Sequence, residues 1–128
     1  MARHLIARKS PGRIINLAST HGVVALAKRL TYGVSKGAII HMTRVLAYEW
    51  AKLGICVNAV APGTIETPTR AAYFAENPEA RAAMLARVPV GRFATADELA
   101  GAVAYLAGPD GAFVTGQTLL LDGGLTTY

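Results

Sequence analysis

Apolar residues fall along this chain in short dense runs separated by longer stretches with helical spacing. Arg13 to Ala18 (RIINLA), Ile55 to Ala61 (ICVNAVA) and Gln117 to Leu121 (QTLLL) lack the polar alternation of a half-exposed strand. Runs of this kind predict strands buried on both faces, as in parallel sheets. Between them the pattern turns helical. One helix is predicted from Thr31, as its N-cap, to about Leu53, with Gly54 ending it. Thr64 to Thr69 is polar and turn-rich, and Tyr73 to Val88 is helical with a break at Asn77-Pro78. That break, beside Pro68 and Pro89, predicts a mobile flap more than a core element. Thr95 and Glu98 form a capping box that opens a helix running to Ala107 and stopping at Gly108-Pro109. Residues 2–9 read as the last turns of a helix, with Arg8 and Lys9 at its negative end, and Ser10-Pro11-Gly12 as a turn.

The order is strand, helix, strand, helices, strand, with connections long enough for right-handed parallel crossovers. The fold class expected is α/β: three parallel strands with flanking helices, one half of a doubly wound sheet. The 128 residues make a single partial domain. Nothing before Arg13 has the pattern of strands that would cover the outer edge of the first one. An uncovered apolar strand invites association, so either a partner covers it or the chain is a fragment.

Candidate chemistry lies between Asn16 and Lys36. Ser19 leaves the end of the first strand, a loop follows, and Tyr32 and Lys36 stand four apart near the start of the long helix. Residues at that spacing share a helix face. An ammonium beside a phenol favours the phenolate, so a tyrosine so placed can give a proton to an alkoxide or take one from an alcohol. A serine hydroxyl at the carboxyl end of a strand can hydrogen-bond the same oxygen, where open α/β sheets bind ligands. Spacing alone does not single this set out. Ser35, Tyr48 and Lys52 repeat the same intervals. Ser35 and Tyr48, however, lie in one continuous helix, about 20 Å apart at 1.5 Å per residue, and cannot share a substrate atom. Only Ser19 is joined to its tyrosine by a loop.

Other residues carry plainer readings. His21 lines a substrate pocket or faces solvent, and no G-x-S-x-G elbow supports a serine hydrolase. His41 lies about 180° around the helix from Tyr32. Three histidines and one cysteine show no metal-ligand spacing. Met42, Leu46 and Trp50 read as core or subunit contact, and Asp97 and Glu98 as helix-start charges. The net charge of +5 comes from scattered basic residues without a stripe or a DNA-binding motif, so no nucleic-acid partner is expected. No run is long and apolar enough for a membrane span, and MARHLIARKSPG lacks the core of a signal peptide. The lone Cys56 reads as a buried strand residue and suits a reducing, cytoplasmic setting.

Taken together, several motifs carry a resemblance that covers nearly the whole chain. They are Arg13-to-Ser19 followed by Gly22, Tyr32-x-x-x-Lys36, Asn58-Ala-Val-Ala-Pro62-Gly63, and Thr115-Gly116-Gln117 with Asp122-Gly123-Gly124. In order and spacing they resemble the C-terminal half of a short-chain dehydrogenase/reductase, a Rossmann-type fold. The resemblance implies Ser19, Tyr32 and Lys36 as catalytic residues and NAD or NADP as cofactor. It implies that Lys36 also holds the nicotinamide ribose next to Tyr32. Pro62, Gly63, Ile65 and Thr67 would lie along the nicotinamide, Ile65 at the carboxamide and Thr67 at the carboxamide or pyrophosphate. Glu66 to Val88 would be the substrate flap, and the long helix a subunit-packing helix of a homo-oligomer.

The chain departs from that family in one respect: no T-G-x-x-x-G-x-G and no G-x-G-x-x-G occurs in it. The N-terminal dinucleotide-binding half, with its N-N-A-G segment and the helix asparagine of the catalytic tetrad, is not represented. Two readings follow. One is an NAD(P)-dependent oxidoreductase that interconverts a carbonyl and an alcohol by hydride transfer with tyrosine acid/base catalysis. The other is a truncated, non-catalytic fragment that acts only through self-association or partner binding.

Overall fold

The computed structural model describes residues 2–127. Three strands, β1 (Gly12–Leu17), β2 (Ile55–Pro62) and β3 (Thr118–Leu121), form one parallel sheet in the order β1-β2-β3. The register pairs Gly12 with Ile55 and Leu17 with Val60, then Ala59 with Thr118 and Pro62 with Leu121. Around the sheet lie α1 (Ala2–Ala7), α2 (Leu30–Trp50), α3 (Pro68–Glu76), α4 (Pro78–Leu85) and α5 (Ala96–Ala107). The α/β architecture with flanking helices is the one expected.

β2 is the buried centre, because its side chains alternate between two covered faces. Ile55, Val57, Ala59 and Ala61 are fully buried, and they form two small cores with Ala18, Ile40 and Ala47; the last two belong to α2. Each fully buried valine or isoleucine contributes about 1.5–3 kcal/mol. The small residues Ala47, Ala59 and Ala61 let α2 lie close to the sheet. On the other face the buried Asn58 is fully engaged. Its Nδ2 donates to the Val114 carbonyl at 2.7 Å and its Oδ1 accepts from the Gln117 amide at 3.0 Å, so it moors the loop before β3. Thr115 and Gly116 extend that mooring, through Oγ1 to the Val57 amide at 3.1 Å and through an amide to the Val57 carbonyl at 2.8 Å.

β1 has a partner on one side only among the described residues, and none of its side chains is fully buried. Leu17 is more than half exposed. The edge expected to be uncovered is therefore open. In α2, Leu46 and Trp50 pack on the core as expected, whereas Met42 is exposed.

Several boundaries differ from the sequence expectation. β1 begins at Gly12 and ends at Leu17, one residue earlier than expected, because Gly12 pairs with Ile55 through the Gly54 carbonyl. Thr31 is not an N-cap but lies inside α2, which starts at Leu30 after Arg29 with no side-chain cap. The helix tightens into a 3-10 turn at Ala51–Leu53 and ends at Gly54, whose φ of 75° suits glycine. The flap helix starts at Pro68, not Tyr73: Thr67 caps it by accepting from the Arg70 amide at 3.2 Å, and Pro68 sits in the first turn, where no amide is needed. The break at Asn77 stands. The flap is also anchored, since buried Phe74 stacks on buried Phe93 with ring centroids 5.2 Å apart. Cys56 is half-buried, its thiol 3.6 Å from the Ala112 carbonyl, rather than in the interior.

Candidate active site

The site forms where β1 ends and the first turns of α2 pass beside it. Ala18 continues the ladder, its amide donating to Val60 at 2.8 Å, and Ser19 then leaves the sheet in extended conformation. Ser19 caps a 3-10 turn over Thr20–Gly22, and its Oγ accepts from the His21 amide at 3.3 Å. With Oγ accepting there, the hydroxyl proton remains to be donated outward. Ser19 and Thr20 are both buried, so the turn is held by the body of the protein.

This turn lies directly on α2. A methyl group on Gly22 would come within 2.7 Å of the Lys36 carbonyl carbon and 2.8 Å of the Gly37 amide nitrogen. One on Gly33 would approach the His21 carbonyl to 3.1 Å. The two segments touch backbone to backbone because these positions carry no side chain. The contact brings the Ser19 turn to the helix turns that bear Tyr32 and Lys36.

Tyr32 is about half exposed and sits between two groups. The His21 ring meets it edge-on, with centroids 5.6 Å apart and planes at 81°. The Lys36 ammonium lies 5.6 Å from the Tyr32 ring centroid and donates to the Leu17 carbonyl at 2.8 Å. A lysine has three protons to donate, so two remain for other partners. His21 is held below its ordinary pKa, first by burial and then by the charges of Arg29 and Arg87, which favours the uncharged imidazole. Its Nδ1 is buried without a hydrogen-bond partner among the described residues.

The second cluster of expected residues lies at the carboxyl end of β2. The Gly63 amide donates to Leu121 at 2.9 Å, and a methyl group on Gly63 would come 3.2 Å from the Asp122 Cα. Ile65 forms an isolated parallel bridge with Ala94, flanked by hydrogen bonds from Glu66 to Ala94 at 2.7 Å and from Ala94 to Thr64 at 3.2 Å. Thr67 is committed as the α3 cap, which leaves its hydroxyl proton free to donate. Pro62 closes β2 opposite Leu121. The Asp122 carboxylate is used locally, accepting from the Gly124 amide and from the Thr126 amide and hydroxyl.

The rival set Ser35–Tyr48–Lys52 is not brought together. Ser35 bonds back to the Tyr32 carbonyl at 2.8 Å, and Tyr48 is 90% exposed farther along the same helix. Among the described residues, no three histidine, cysteine or acidic side chains cluster as metal ligands, and no helix is long and apolar enough to cross a membrane. Sequence reasoning overlooked Gly33 and Gly37. Their signal was their place, each directly after a candidate catalytic residue and four apart, which leaves a bare stripe on α2. It also overlooked Lys28 and Arg29, which line a recess of about 430 Å³ together with Tyr32.

Comparison with known proteins fits this geometry. The family model described as Enoyl-(Acyl carrier protein) reductase matches residues 1–126. The 3β-hydroxysteroid dehydrogenase 1 of Eggerthella lenta is 44% identical, the match covering 98% of this chain and 48% of that protein. A 3-oxoacyl-[acyl-carrier-protein] reductase of Vibrio cholerae is 44% identical over 92% of this chain and 47% of its own length. Among solved structures, a gluconate 5-dehydrogenase from Burkholderia cenocepacia in complex with NADP and tartrate superposes with a TM-score of 0.90 at 39% identity, covering 99% of this chain and 49% of that one. The chain thus spans about half the length of the relatives it matches. It belongs to the short-chain dehydrogenase/reductase family.

Proposed function

We propose that this chain is the catalytic half of an NAD(P)-dependent oxidoreductase that interconverts a carbonyl and an alcohol. The observation that carries this reading is the close docking of the Ser19 turn on α2 beside Tyr32 and Lys36. Ser19 donates its free proton to the substrate oxygen and holds it in place. Tyr32 gives its phenolic proton to that oxygen in reduction and takes it back in oxidation. Lys36 spends one proton on Leu17 and keeps two for the nicotinamide ribose and the Tyr32 side.

The residues present fit the nicotinamide end of a dinucleotide. Gly63 lets the end of β2 pack closely on Asp122, Ile65 is fixed by its bridge to Ala94, and Thr67 retains a proton to donate. They offer no glycine-rich loop for the pyrophosphate. When bound, the nicotinamide supplies or accepts the hydride. The gluconate 5-dehydrogenase and other structural relatives hold NADP, which supports a cofactor of this class. The substrate is a small alcohol or carbonyl compound.

Replacing Tyr32 with Phe in the full-length protein tests this. Turnover should fall about 10²–10⁴-fold, while unfolding is unchanged because the ring keeps its packing on His21 and Lys36. Undiminished turnover would remove Tyr32 from the mechanism.

A second reading is a chain that acts only through self-association or partner binding. The open outer edge of β1 favours it, as do the exposed Val34, Val45 and Tyr48 on α2, a face suited to a homo-oligomer. Nicotinamide fluorescence separates the two. In the full-length protein, saturable binding of NADH or NADPH at micromolar concentration speaks for the enzyme, and none for the binding module.

A further inference from the structure

Tyr32 is flanked along α2 by two cations of different standing. Lys36, one turn later, is tied to Leu17. Arg29, one turn earlier, is not tied. The Gly33 amide donates to the Arg29 carbonyl at 2.8 Å, which closes the first turn of the helix. Residues three apart are neighbours on a helix surface, so Arg29 lies on the Tyr32 side. Lys28 adjoins it with a φ of 62°, a left-handed conformation that sharpens the entry to the helix. Both residues are exposed, and among the described residues neither side chain makes a hydrogen bond or an ion pair.

Lys28, Arg29, Leu30, Thr31 and Tyr32 line one recess, and none of these residues is acidic. The start of α2 has no side-chain cap, so its free amides add a partial positive charge there. Arg87, just after α4, and Arg29 both bear on the His21 ring that abuts Tyr32. No carboxylate appears among the groups that bias His21. The mouth beside the acid/base tyrosine is thus cationic from the loop and the helix start.

We propose that the substrate of this site carries an anionic group, a carboxylate or a phosphate, seated on Lys28 and Arg29 about one helical turn from the carbon that reacts at Tyr32. This rests on the oxidoreductase reading above. The cofactor does not account for these cations, since that reading puts the ribose at Lys36, on the opposite flank of Tyr32. Arg29 and Tyr32 stand about 4.5 Å apart along the axis at the backbone, so probes that carry the anion within a few bonds of the carbonyl carbon suit the test. Arginine presents a fork of donors matched to a carboxylate or phosphate, and such charge-assisted bonds are stronger than neutral ones.

The test uses paired probes on the full-length protein: 4-oxopentanoate against its methyl ester, and hydroxyacetone phosphate against hydroxyacetone. Binding is read by ligand-induced chemical shifts and turnover by nicotinamide absorbance. The anionic member of at least one pair should bind about tenfold or more tightly, and the preferred pair tells carboxylate from phosphate. The double variant Lys28→Gln/Arg29→Gln should weaken anion binding about tenfold to a hundredfold and bring the pair together. Tyr32→Phe should keep the preference in binding while losing turnover. Equal binding within both pairs overturns the proposal, as does a preference that survives the double substitution. An anion preference lost in the double variant, with turnover of none of the probes, instead keeps the anion site and removes the oxidoreductase reading.

Discussion

The Lys36 ammonium donates to the Leu17 carbonyl at 2.8 Å, tying the helix that carries Tyr32 to the end of the strand that delivers Ser19. One side chain thus serves two ends: it stands over the Tyr32 ring and it fixes the distance between helix and strand. Lys36→Met keeps the stem and removes the charge. Turnover should drop by about 10²-fold or more, the scale of a misplaced or deactivated proton donor. Stability should fall by no more than about 1.5 kcal/mol, because the Leu17 carbonyl can turn to water once released. Steady-state kinetics beside thermal unfolding would show it; a loss confined to stability would mean that Lys36 only braces the fold.

Gly22 is where the loop and helix backbones touch. In Gly22→Ala the new methyl meets Lys36 and Gly37 backbone atoms at 2.7–2.9 Å, and none of these can swing aside as a side-chain tip could. A destabilisation of about 1–3 kcal/mol is expected from overpacking. Turnover should fall further than stability explains, since a shift of about 1 Å at the Ser19 turn costs on the order of 10²-fold. Equal kcat in folded wild type and variant would show that the turn tolerates displacement.

Arg92 and Glu98 form a bidentate pair at 2.6 and 2.9 Å, and Glu98 also accepts from the Thr95 amide at 2.8 Å to complete the capping box. These bonds, the Arg92 contact first, lower the Glu98 pKa from 4.5 to about 2. The carboxyl is therefore harder to protonate in the folded chain than in the unfolded one. Its stabilisation is complete above about pH 4.5 and disappears as pH falls toward 2. Melting curves of wild type and Glu98→Gln should differ at pH 7, with wild type the more stable, and converge near pH 2. A gap that stays constant with pH would contradict the assignment.

Much of the fold was legible in the chain. The apolar runs marked three strands, of which β2 alone is buried as expected while β1 and β3 are half-exposed; the Thr95–Glu98 pair marked a helix start, and Gly54 marked a helix end, because each depends on neighbours in sequence. The misread starts were Thr31 and Tyr73. For α3 a competing local signal sat nearby, since Thr67 with Pro68 caps it earlier; α2 begins without any cap because packing on the sheet carries it. Phe74 looked like a flap residue and proved to be an anchor, since its stacking partner Phe93 lies across a turn that no periodicity links to it.

The candidate site divides in the same way. The sequence by itself determined the residue types and order, and even excluded the decoy at Ser35–Tyr48–Lys52, because rise per residue along one helix is a local property. Tertiary structure alone decided which surfaces meet. It laid Gly22 on Lys36 and Gly37, set His21 edge-on to Tyr32, and tied the Lys36 ammonium to the Leu17 carbonyl. Those contacts join segments across a loop, where distance in space depends on how the sheet and helix pack and not on spacing along the chain.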